Sequence, residues 1–267
     1  MSKLPTLLEM LQAGVHFGHQ KSRWHPKMEP YLFGARNGVH VIDLDKTVVE
    51  MEKSLAFVRS LSAAGKTILF VGTKKQSKDI IKAAAESCGA PYIVERWIGG
   101  LLTNFDEVKR RLKKYHTMKD QIATGEIEKY VKKEQVKFKK DLAKMERYLL
   151  GIASLEKMPD ALYIADMRTE KTALTEAERT HVTVVGVCDS NANPEKAQYI
   201  IPANDDAVNS IKLIAEVVAS AVAEGKEEWE KNKLMMAKEK EKTDKANAVK
   251  NAAPKVERRA LKIAESV

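Results

Sequence analysis

Apolar residues follow two different rhythms along this chain, and the changes between them outline its architecture. Leu7, Leu8, Leu11 and Val15 recur at helical spacing and predict a first amphipathic helix. From His16 to Met28 the periodicity is lost, Gly and Pro appear, and the stretch reads as an ordered loop. Tyr31-Leu32-Phe33 and Val39-His40-Val41-Ile42 are short strand-like runs on either side of Asn37-Gly38, a pair suited to the positive φ angles of a type I′ hairpin turn. Val48, Met51, Leu55, Val58 and Leu61 then share one face of a longer helix, which Gly65 closes.

Beyond Thr67 the pattern alternates. Thr67-Ile68-Leu69-Phe70-Val71, Tyr92-Ile93-Val94, Ala161-Leu162-Tyr163-Ile164-Ala165, Val182 to Val187 and Tyr199-Ile200-Ile201 are continuous apolar runs. Helical segments separate them, the last over 207–223 with Asn204, Asp205 and Asp206 placed to cap it. Strands apolar on both faces, interleaved with helices, predict a parallel sheet covered on both sides.

One segment departs from that rhythm. Val108, Leu112, Tyr115 and Ile122, and after Thr124-Gly125 the set Phe138, Leu142, Met145 and Leu149, form two narrow apolar seams on otherwise charged helices. They predict an antiparallel, coiled-coil-like hairpin inserted into the α/β body. The expected division is a discontinuous body over 1–106 and 158–225, the hairpin over 107–157, and a charged tail over 226–267, flexible or helical.

The 267 residues carry 46 Lys plus Arg against 37 Asp plus Glu, a net charge of +9 that points to a polyanionic partner. No apolar run approaches the roughly 18 residues of a membrane span, and no secretory leader is expected. Cys88 and Cys188 lack a C-x-x-C spacing, which excludes a zinc ribbon and leaves two buried, reduced thiols as the expectation.

The candidate chemistry is mostly negative. Gly72-Thr73-Lys74-Lys75 follows the first parallel strand, but it is neither G-x-G-x-x-G nor a P-loop. Its lysines either touch RNA phosphates at the carboxyl edge of the sheet or sit solvated at a helix start. Ser22, Ser77 and Ser190 lack a nucleophile elbow. His16 and His19 have no nearby Cys or carboxylate in sequence to complete a metal site, so packing or RNA contact is expected of them. Asp189-Ser190-Asn191 and Asn204-Asp205-Asp206 read as turn and cap chemistry.

The basic residues are stronger as a set. Lys21, Arg23, Lys27 and Arg36 interleave with Phe17, Trp24, Tyr31 and Phe33, and Arg96-Trp97 forms a second cluster. Lys109, Arg110, Arg111, Lys113 and Lys114 crowd one arm of the hairpin, and Lys132, Lys133, Lys137, Lys139 and Lys140 the other. Structured RNA is held through phosphates, shape and stacking, which this mixture supplies; hairpin lysines that merely confer solubility are the alternative.

Several stretches also resemble one family closely. Ala13 to Gln20, Trp24-His25-Pro26-Lys27-Met28, Phe33 to Leu44, Leu69 to Lys75, Arg96 to Phe105, Pro159-Asp160-Ala161-Leu162 and Ile200 to Ala207 are similar to the bacterial form of small-subunit ribosomal protein two, in order from about Leu7 to Gly225. The sequence departs from the family's usual wording at His25, at Met167-Arg168-Thr169, at Thr180-His181-Val182-Thr183, and at Ser190 within Asp189-Ser190-Asn191. The resemblance implies a flavodoxin-like body with a five-stranded parallel sheet and an inserted coiled-coil hairpin. It implies a structural role in translation, bound to small-subunit rRNA on the solvent side between head and body. It further implies neighbouring ribosomal proteins as partners, notably the mRNA-binding protein one.

On this reading the chain has no catalytic residue, cofactor, metal, membrane partner or homo-oligomer. It works on ribosomes of the cytoplasm or of an organellar stroma or matrix. The residues expected at RNA are His19, Lys21, Arg23, Trp24, Lys27, Arg36, Lys74, Lys75, Arg96, Arg110, Arg111, Lys113 and Lys114. The alternatives are a nucleotide- or sugar-phosphate-binding α/β enzyme and a free regulatory module that uses the hairpin to grip a partner helix.

Overall fold

The computed structural model describes the backbone of residues 4–264 and the side chains of residues 4–236. A first helix α1 (Leu7–Ala13) opens with a capping box between Thr6 and Glu9 and ends at Gly14 in the left-handed region. Strands β1 (Phe17–Gln20), β2 (Leu32–Arg36) and β3 (Val39–Ile42) then form a small antiparallel sheet in the order β1-β3-β2. Asn37 at φ 51° and Gly38 at φ 78° make the expected hairpin turn. The sequence read as a loop from His16 to Met28 is in fact β1 followed by short 3-10 turns. β1 is a half-polar strand whose pairing to β3 slips register between Phe17 and Gln20, so it leaves no alternating pattern.

The main sheet contains β4 (Ile68–Val71), β5 (Tyr92–Ile93), β6 (Ala161–Ile164), β7 (Thr183–Cys188) and β8 (Tyr199–Pro202), all parallel, in the order β5-β4-β6-β7-β8. This is the flavodoxin-like order, with its switch point between β4 and β6. Alternation along each strand sends Ile68, Phe70, Tyr163 and Val185 to one face and Leu69, Val71, Leu162 and Val184 to the other. Each fully buried side chain of this kind contributes about 1.5–3 kcal/mol.

Helices α2 (Leu44–Ala63), α3 (Lys78–Ser87) and α7 (Val208–Ala264) lie over the first face. α2 also covers edge strand β8: buried Thr47 and Ser54 donate their hydroxyls to the carbonyls of Pro202 (2.7 Å) and Ile200 (3.2 Å), which satisfies polar groups on both sides. α7 runs far past the expected end of its helix because Gly225 is not a stop. A Cβ there would lie 2.5 Å from the Arg59 carbonyl oxygen, so glycine is what permits α7 to approach α2. The expected tail continues α7, and its side chains from 237 on fall outside the described residues.

The second face is covered by α6 (Lys171–Thr180), by the segment from Trp97 to Leu102, and by the root of α4 (Phe105–Ala123). α4 and α5 (Lys132–Leu149) pack together across the Thr124-Gly125 turn. Val108, Leu112 and Tyr115 belong to the body's own core, so the first turns of α4 are anchored there. Cys88 and Cys188 are both free and buried.

Candidate nucleic-acid interface

The carboxyl edge of the parallel sheet is where a doubly wound fold receives phosphates, and here that edge is acidic. Lys74, just after β4, places its Nζ 2.9 Å from Asp205, 2.6 Å from Asp206 and 3.4 Å from Asp166. Burial works against the Lys74 charge, but the hydrogen bonds to Asp206 and Asp205 more than offset it and raise its pKa. Asp205 is pushed up to about 7 by burial and by the charges of Asp166 and Asp189. Asp166 is held below the usual carboxylate range: burial opposes this, but Thr169, the Arg168 N–H and Lys74 together outweigh it.

The turn after β4 is equally committed. The Thr73 N–H and hydroxyl both donate to Glu170, and a Cβ on Gly72 would meet Ile81 at 2.7 Å. The Thr73 N–H and hydroxyl, the first donors of this turn, are therefore already committed. Lys75, beside them, is exposed and makes no ion pair among the described residues.

His19, from β1, joins this network. Its Nδ1 lies 3.1 Å from Asp189 and its Nε2 3.3 Å from Asp206, and the hydrogen bond to Asp189 raises its pKa. His19, Asp205 and Asp206 bring ligand atoms within 4.8 Å of one another, the group among the described residues that a metal ion would fit. His16 is not part of it. Burial lowers the His16 pKa, and its Nδ1 is buried without a partner.

Ser190 fixes the basic loop to this edge. Its hydroxyl accepts from the His19 N–H at 2.7 Å, and its carbonyl accepts from the His25 N–H at 2.8 Å. Gly18 is required at the crossing, since a Cβ there would sit 2.8 Å from the Ser190 hydroxyl. The loop then presents Lys21, Arg23 and, across β2, Arg36, all exposed and without acidic partners among the described residues. Trp24 lies against the His40 ring at 5.2 Å, and Lys27 pairs with Glu195.

Arg96 is exposed, but Trp97 turns inward, away from any stacking role. Its indole N–H donates to Glu176 at 3.0 Å, and the same carboxylate accepts from the N–H groups of Gly100, Leu102 and Thr103. Nothing in the sequence signals Glu176, which stands among polar positions of a helix.

On α4, Arg110, Arg111, Lys113 and Lys114 all face solvent, and Arg110 is 81% exposed at its side chain. Arg110 and Arg111 lie 3.4 and 3.5 Å from Glu107, while Lys113 and Lys114 have no acidic partner among the described residues. Such exposed pairs are worth about 0–1 kcal/mol and leave the cations available.

Comparison with known proteins agrees with this layout. The family model described as Ribosomal protein S2 matches residues 10–225. A curated relative, the small ribosomal subunit protein uS2 of Bdellovibrio bacteriovorus, is 45% identical over 255 residues, which cover 94% of this chain and 80% of the relative.

Proposed function

Since the chain belongs to the ribosomal protein S2 family, we propose that it is a structural constituent of the small ribosomal subunit that binds small-subunit rRNA. The observation that carries this reading is the partition of its cations. Lys74, at the edge where an enzyme would hold a phosphate, is surrounded by aspartates. Lys21, Arg23, Arg36, Lys75, Arg96, Lys113 and Lys114 are exposed with no carboxylate partner among the described residues. Free cations on projecting loops and a helix suit phosphate contacts with a folded RNA. Within this reading His19 and Lys74 shape the edge that supports the loop, and the loop, Arg96 and α4 meet RNA.

A separate surface suits protein. Leu8 is 65% and Phe33 81% exposed, and Leu7, Leu11 and Phe33 line one groove with Val41. This apolar face is the proposed dock for a neighbouring ribosomal protein, notably the mRNA-binding protein one. No described helix is long and apolar enough to cross a membrane.

Sedimentation of a lysate at moderate and then high salt tests the reading. Migration with the small subunit at moderate salt is expected. Migration only as free protein would overturn it, and thermal stabilisation by nucleotides would then favour the enzyme reading.

A further inference from the structure

A pocket of about 460 Å³ opens beside the Ser190 crossing, between the basic loop, the start of α6 and the turn after β7. Its volume lies in the range of small-ligand sites, roughly 300–1,000 Å³. Its lining combines Arg23, Arg168, Lys171 and Lys196 and includes no acidic residue. Lys196 is paired with Glu178 at 2.9 Å, but Arg23, Arg168 and Lys171 have no acidic partner among the described residues. This contrasts with the neighbouring sheet edge, where aspartates surround Lys74.

Three further observations define the ligand. Lys171 is the first residue of α6, whose first turn has no acidic residue and no side-chain cap, because the Glu170 carboxylate is turned to Thr73. The first turn of α6 thus adds no carboxylate of its own beside the cations. Trp24, backed by His40, gives the pocket a flat aromatic wall, with Leu174 and Met167 as apolar lining. Asn191 also lines it, next to Ala192 and Asn193, so the turn after β7 adds polar groups to the wall.

We propose that this pocket seats one unpaired nucleotide of RNA, with its base on Trp24 and its phosphate at Arg168 and Lys171. The proposal rests on the RNA-binding reading above and adds a single-nucleotide subsite to it.

The test uses the full chain, a labelled RNA hairpin with an unpaired loop, and a fully paired duplex of equal length. Trp24→Ala is expected to weaken binding of the looped RNA about tenfold more than binding of the duplex. Trp24→Phe, which keeps a stacking face, is expected to retain most of the affinity. Arg168→Gln with Lys171→Gln is expected to weaken the looped RNA selectively. Thermal unfolding of each variant verifies that it folds.

Equal weakening for loop and duplex, or none in either, would overturn the subsite. The RNA-binding reading would survive that result if substitution of the α4 cations still weakened both RNAs. Saturable binding of AMP by a chain that binds neither RNA would assign the pocket to a free nucleotide and overturn both readings.

Discussion

The indole N–H of Trp97 donates to the buried carboxylate of Glu176 at 3.0 Å, joining the turn before α4 to the middle of α6. Backbone N–H groups of Gly100, Leu102 and Thr103 converge on the same carboxylate. Burial alone would raise the Glu176 pKa, but these donors outweigh it and hold the group below the usual range. Its stabilisation is therefore present at neutral pH and lost as pH falls through the folded value. Glu176→Gln, which puts an amide N–H₂ among donors, is expected to cost about 1.5–3 kcal/mol. Urea unfolding at neutral pH measures this, and a change below about 0.5 kcal/mol would mean that the segment holds itself in place.

His19 gives the N-terminal sheet a pH dependence. Its folded pKa is raised above 6.5 by the Asp189 hydrogen bond and by the Asp189, Asp205 and Asp206 charges, with burial opposing. The stabilisation is fully present below 6.5 and lost as pH rises through the folded value. Asp205, pushed up to about 7 by burial and by the charges of Asp166 and Asp189, acts in the same direction at lower pH, because the fold keeps its proton between the ordinary value of 3.8 and about 7 and stability falls as pH rises across that window. Lys74 stays protonated throughout. The melting temperature is therefore expected to fall as pH rises through about 7, and less steeply in His19→Gln. Equal slopes in both proteins would remove His19 from the account.

The strands of the parallel sheet were legible because each is buried on both faces and so reads as an unbroken apolar run. The Asn37-Gly38 turn was legible because its φ angles constrain residue type. β1 was not, since a half-polar strand with a register slip has no period. The extent of α7 was only half legible: its start was read to within a residue, but Gly225 looked like a boundary when it marks a close approach to α2, a helix far away in sequence. The exposed cations were legible as a set, but their division into free and committed groups was not. His19 meets Ser190 across 171 residues, and Trp97 meets Glu176 across 79. No local pattern records such partners.

The α4 cations offer a direct test of the proposed RNA binding. Arg110, Arg111, Lys113 and Lys114 are exposed, and the carboxylate within ion-pair distance of any of them among the described residues is Glu107. Changing all of them to Gln is expected to leave the melting temperature nearly unchanged. For each RNA phosphate no longer neutralised, the slope of log K against log salt should flatten by roughly 0.7–0.9. An unchanged slope would show that these side chains serve solubility alone.

Tyr163 tests the core from the opposite direction. It lies fully buried in β6, with its ring edge-on to Phe70 at 5.1 Å, and its hydroxyl has no hydrogen-bond partner. Burial also pushes its pKa up, as expected where no donor or cation favours the phenolate. A buried, unsatisfied hydroxyl costs about 1–3 kcal/mol, whereas the aromatic contact survives its removal. Tyr163→Phe is therefore expected to stabilise the protein by about 1 kcal/mol, part of the gain being offset by the small void left behind. Chemical denaturation of the variant, with an unchanged m-value, measures this. A drop in stability instead would show that the hydroxyl has a partner in solution, a buried water being the simplest.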